Sequence, residues 1–222
     1  MTEAEWRVYE SPEAMLTLMK KASDRKHRLF QVACLRRVWH LMPNEDWRAA
    51  VALVERYADK KASDRARIAT CHKLHSIPYP NAAIRDAVSS ALEATCKTMR
   101  RNRQHSIGTH GVFAYTEVPE DEVASKREQF QAVLRREREV EAHLVRDIFP
   151  FRKVKFNKAW RTDTAVLLAA QRYESRDFSA MPILADALQD AGCDSTVILD
   201  HCRGAGPHVR GCWVVDLVLG KE

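Results

Sequence analysis

Several things are scarce in this chain. Its 222 residues include only 7 glycines and 8 prolines, too few for a turn-rich β protein or a linker-rich one. No apolar run approaches the roughly 20 residues that a membrane-spanning helix needs, so no membrane partner is expected. The opening MTEAEWRVYESPEAM is acidic and lacks the apolar segment of a secretory signal. The 6 cysteines are therefore expected as reduced thiols of a cytoplasmic protein, not as a disulfide framework. Familiar chemical signatures are missing too: there is no CxxC, no Walker loop, no glycine-rich dinucleotide fingerprint, no HExxH and no GxSxG. These absences exclude the commonest zinc, nucleotide and hydrolase motifs, and the reading leans away from an enzyme.

What is present is ordinary for a globular protein. Hydrophobic residues make up 45% and charged residues 30%, with a formal charge of +6 and a pI near 9.1. That mild positive balance permits an acidic partner without demanding one. The length suits one well-buried core, so a single helical domain over 1–222 is expected.

The periodicity is helical nearly everywhere. Ser11-Pro12-Glu13 reads as an N-cap with proline at the first helical position. Ser23-Asp24 opens a helix in which Leu29, Phe30, Ala33, Cys34, Val38, Leu41 and Met42 recur at helical spacing. Pro43-Asn44 breaks it, and Trp47, Ala50, Val51, Val54 and Tyr57 form the face of the next. KASDR occurs at both Lys21–Arg25 and Lys61–Arg65. The copies diverge at once, so two similar Ser-Asp helix starts explain them better than a duplication. A further helix is expected from Asn81 to Met99. From Pro119 a long helix runs to Ile148, with Val133, Val140, Leu144 and Ile148 as its seam. Thr162, Ser179 and Asp194 or Ser195 read as caps of later helices, and Pro207 as the lead into a final one. Only Val112–Thr116 and Lys153–Phe156 are strand candidates. The fold class is all-α: a multi-helix domain with short, mostly capped helices and one long charged helix.

The closing HCRGAGPHVRGCWVVDLVLGKE holds the densest set of candidate ligands. His208 and Cys212 are four apart and would share one face of a helix, as two zinc ligands can. Cys202 lies across a glycine loop, with His201 beside it. The candidate metal set is therefore Cys202, His208 and Cys212, with His201 or else Cys193 as the fourth ligand. The competing reading makes both cysteines small buried residues and His208 a packing residue at a helix start; that architectural reading is favoured. Cys71 and His75 form a second i, i+4 pair with nothing to bring it to the first. No cofactor is expected, and zinc is possible.

Two basic stretches could meet nucleic acid. Ala94 to Thr116 has no acidic residue and carries Arg100, Arg101 and Arg103, inside a variable basic loop or insertion at about 97–118. Ile148–Thr162 carries Arg152, Lys153, Lys155, Lys158 and Arg161, interleaved with aromatics including Trp160. Cations bind phosphates and exposed aromatics stack on bases. A connector that buries its aromatics and solvates its lysines remains the favoured reading.

Three phrases carry a resemblance: MTEAEW, KASDRKHRLFQVACLRRVWHLM, and the stretch from Asp177 that ends in HVRGCWVVDLVLGKE. They resemble a large paralogous family of uncharacterised bacterial proteins of planctomycete type. The likeness covers the two ends of the chain and fades between about Cys71 and Val118. It implies a cytoplasmic protein and transfers no catalytic residue. Family members with Leu in place of Cys202 imply that this cysteine is not an obligatory ligand. The expected function is a non-enzymatic adaptor or regulator with a protein partner. Nucleic-acid binding and zinc content are the alternatives, and the oligomeric state is not readable.

Overall fold

The computed structural model describes residues 2–19, 22–42, 45–75 and 122–221. The helix expected over Asn81–Met99, the variable loop at 97–118, the strand candidate Val112–Thr116 and Arg100, Arg101 and Arg103 lie outside the described residues. Among those described, the elements are helices α1 (Glu3–Val8), α2 (Pro12–Leu18), α3 (Asp24–Arg37), α4 (Glu45–Ala58), α5 (Asp64–His75), α6 (Arg127–Ile148), α7 (Asp163–Ser175), α8 (Met181–Asp190), α9 (Thr196–Arg203) and α10 (Trp213–Leu219). Short 3-10 turns occupy Trp39–Leu41 and Lys158–Trp160. No strand is present among the described residues, and Lys153–Phe156 is irregular. The all-α class is what the periodicity indicates.

Two compact units divide the chain: one comprises Met1–Glu3 and His143–Glu222, the other Ala4–Ala142. In the second, α3 packs on α4 and α4 on α5. Its core joins Val32, Leu35, Val38 and Met42 to Trp47, Ala50, Val51, Val54 and Leu74. The two KASDR copies both serve as helix starts: Ser23 Oγ accepts from the Lys26 amide and Ser63 Oγ from the Ala66 amide. Each thereby satisfies one of the free amides of a first helical turn. Buried carboxylates in this unit are paired, as burial of charge requires: Glu55 with Arg36, Asp59 with Arg25 and Glu137 with Arg37.

The C-terminal unit packs α8 on α9 and α7 on both α8 and α10. Its core runs through Ala165, Ala169, Tyr173, Met181, Leu184, Leu188, Ile198, Cys202 and Cys212 to Val218. Thr162 caps α7 through the Ala165 amide, as expected. Three local expectations fail. Ser179 does not cap α8; its hydroxyl and amide both turn back to Asp177, and Ala180 stands at the N-cap. Regular helix in α6 begins at Arg127, the described residues from Glu122 to Lys126 forming turns, and the expected start at Pro119 lies outside the described residues. The final helix begins at Trp213, well after Pro207, so His208 and Cys212 are not on one helix.

Candidate metal centre

The last residues of α6 place a carboxylate where a helix least favours it. Asp147 sits one residue before the helix end, near the negative pole of the dipole. It neighbours the buried Leu144 and Ile148, and its side chain is only 2% exposed. Such a group is tolerable only if it is fully hydrogen-bonded. Asp147 is. Oδ2 accepts from the Val209 backbone amide at 2.8 Å, and Oδ1 lies 2.7 Å from His208 Nδ1 and 3.1 Å from His201 Nε2.

The other donors arrive on two further segments. His201 comes from the last turn of α9. His208 and Cys212 come from the loop that links α9 to α10. Gly206 turns that loop with φ +81°, and a Cβ there would lie 2.9 Å from the His208 backbone nitrogen. Only glycine fits that approach. Gly211 follows with φ +103°, and the Cys212 amide closes a turn onto the Val209 carbonyl at 2.9 Å. The loop, not a helical repeat, therefore brings Cys212 Sγ to 3.9 Å from His208 Nδ1. The same sulfur is 3.3 Å from His201 Nε2.

One donor atom from each of Asp147, His201, His208 and Cys212 lies within 4.8 Å of the other three. Zinc bonds of about 2.0–2.3 Å in tetrahedral array imply ligand–ligand edges of about 3.3–3.8 Å. The contacts of 2.7, 3.1, 3.3 and 3.9 Å bracket those edges. Shifts of about half an ångström would seat an ion. The cluster can hold a metal.

Electrostatics fit a site that trades protons for a cation. Burial pushes the Asp147 carboxyl up, but its hydrogen bonds to His201 and His208 outweigh this and hold it below the usual range. Burial pulls the His208 ring down, yet the hydrogen bond and charge of Asp147 outweigh that and raise it. His208 Nε2 is buried with no partner in hydrogen-bond geometry, although the backbone of Gly204 is close enough to favour the protonated ring. Burial, then the charge of Asp147, raises the Cys212 thiol well above its ordinary value. A thiol held neutral is a poor nucleophile. A bound cation reverses that logic, because a coordinating thiol is deprotonated outright.

Of the four ligands expected from sequence, His201, His208 and Cys212 converge and Cys202 does not join them. Cys202 is fully buried in the core cluster. Its thiol is pushed up to about 12, by burial first and then by the charges of Asp147 and Cys193. Asp147 takes the place that Cys202 was expected to fill. One signal for it was legible: an acid in the last turn of an apolar-seamed helix opposes the dipole and needs partners. Cys71 packs against the core of the other unit, and the His75 side chain is not among those described.

The basic stretch divides. Arg152, Lys153, Lys155 and Lys158 are exposed, while Phe156 and Trp160 are half-buried against the core and meet edge to face at 5.4 Å. Arg161 turns its guanidinium to the Leu217 carbonyl, with contacts of 2.7 and 3.1 Å. It serves the end of α10.

No family model, curated protein or solved structure matches this chain.

Proposed function

We propose that this chain is a zinc-binding helical protein in which Asp147, His201, His208 and Cys212 hold the ion. The carrying observation is the convergence of four donor atoms from α6, α9 and the loop before α10, on residues 54 and 61 apart in sequence from Asp147 to His201 and His208. A thiolate, two imidazoles and a carboxylate suit zinc better than magnesium or calcium. Thiolate plus carboxylate balances a divalent ion, so the buried site ends neutral. The Val209 amide on Asp147 Oδ2 already supplies the outer hydrogen bond that orients a ligating carboxylate.

Four protein ligands leave no open position, the pattern of a structural site and not a hydrolytic one. The ion would tie the α9–α10 loop to α6, consistent with a non-enzymatic module that presents a surface to a partner. The test is elemental analysis of purified protein, with zinc titration after chelation. About one equivalent of zinc that is lost in Asp147→Ala and Cys212→Ser supports the reading. Less than about a tenth of an equivalent, with no uptake on titration, overturns it.

A second reading rests on a separate observation. Arg152, Lys153, Lys155 and Lys158 are exposed and make no ion pair among the described residues. We propose that this strip contacts a phosphate backbone. Single-stranded DNA should then bind with affinity that falls steeply as salt rises. Charge reversal at Lys153, Lys155 and Lys158 should abolish binding; no binding at low salt removes this reading.

A further inference from the structure

Trp213 opens α10 and is 3% exposed. Its ring lies 4.7 Å from that of His201, and its Nε1–H donates to His201 Nδ1 at 3.2 Å. The indole nitrogen has one hydrogen and can only donate. His201 Nδ1 must therefore offer its lone pair, and a neutral ring then carries its hydrogen on Nε2. That hydrogen points into the cluster, at Asp147 Oδ1 and Cys212 Sγ.

A metal at Nε2 demands the reverse. Coordination takes the Nε2 lone pair, so the hydrogen of the neutral ring moves to Nδ1. Two hydrogens, one on Trp213 Nε1 and one on His201 Nδ1, would then face each other. The indole bond and the His201–metal bond cannot coexist on a neutral imidazole. The geometry points to Trp213 as a latch on this site: its hydrogen bond to His201 and zinc capture by His201 are mutually exclusive. The inference rests on the zinc reading above and adds a residue that does not touch the ion.

The magnitudes decide which bond yields. A neutral hydrogen bond is worth about 2–10-fold in an equilibrium constant. A structural zinc ion binds far more strongly than that, so zinc wins and the indole lets go. The latch thus weakens zinc binding modestly. Trp213 also belongs to the core cluster with Val214, Val215 and Val218. No proton leaves in this step: the hydrogen on Nε2 reappears on Nδ1 through solvent exchange at a ring that is 17% exposed.

Zinc itself is the probe, on the full chain after chelation. Trp213→Phe keeps an aromatic ring and deletes the donor, and should bind zinc about 2–10-fold more tightly than the natural chain. Long-range proton–nitrogen correlation spectra of the unmutated protein give an independent readout. Without zinc, His201 Nδ1 should show the shift of an unprotonated nitrogen and Nε2 that of a protonated one. With zinc, Nδ1 should become the protonated nitrogen, and the Trp213 indole N–H resonance should move. Equal or weaker zinc binding by a folded Trp213→Phe, or a Nδ1 that stays unprotonated in the zinc-loaded protein, overturns the latch while leaving the zinc site standing. Absence of zinc binding by the natural chain overturns both. If Trp213→Phe does not fold, the spectra of the natural chain decide alone.

Discussion

Asp147→Ala is the perturbation with the most to say about the C-terminal unit, even without metal. The carboxylate accepts from three groups: the His208 ring, the His201 ring and the Val209 amide. Deleting it strands three donors. A buried unsatisfied donor costs about 1–3 kcal/mol. The full sum is not expected, because His201 retains 17% exposure and can meet water, and His208 can give up a proton. Removal also relieves the desolvation of the carboxylate and its opposition to the dipole, the latter about 0.3–1 kcal/mol. What remains is the loss of a buried, hydrogen-bonded charge from its partners, for which about 3 kcal/mol is the expected destabilisation. The assay is urea unfolding followed by circular dichroism, with chelator present throughout. A loss under about 1 kcal/mol would show that the three hydrogen bonds do not hold the loop, and would refute the argument.

Three further outcomes follow from the same geometry. The Asp147–His208 pair gives the metal-free protein a pH window. The raised His208 contributes stability fully present below its unfolded value near 6.5 and lost as pH rises through its folded value; the lowered Asp147 contributes stability present above 3.8 and lost as pH falls through its folded value. Thermal midpoints should therefore fall on the alkaline side of 6.5 without metal, and this fall should vanish in Asp147→Ala. Zinc loading should release about two protons where His208 is protonated, one from Cys212 and one from His208, and about one above that range, as calorimetry in buffers of different ionisation enthalpy measures. Gly206→Ala should disturb the loop, since its Cβ meets the His208 backbone nitrogen at 2.9 Å in a left-handed conformation; a loss of about 1–3 kcal/mol in chemical unfolding is expected, with zinc affinity reduced in parallel.

The sequence by itself determined the fold class. Helical spacing of apolar residues, Ser-Asp starts and a Thr162 cap are local signals, and local signals survive without knowledge of the rest of the chain. It also singled out His201–Cys212 as the phrase densest in candidate donors, while favouring an architectural role for it. It misjudged how that phrase works. The four-residue spacing of His208 and Cys212 suggested a helix, whereas a loop turned at Gly206 and Gly211 makes the contact. A loop path depends on positive φ angles and on what the chain docks against, and neither has a period to read. Only tertiary structure decided that Asp147 joins the donor cluster and that Cys202 lies in the core. Asp147 lies 54 residues from His201, and no spacing rule reaches that far. Cys202 is next to His201 in sequence, but adjacent residues on a helix point about 100° apart, so one faces the cluster and the other the core.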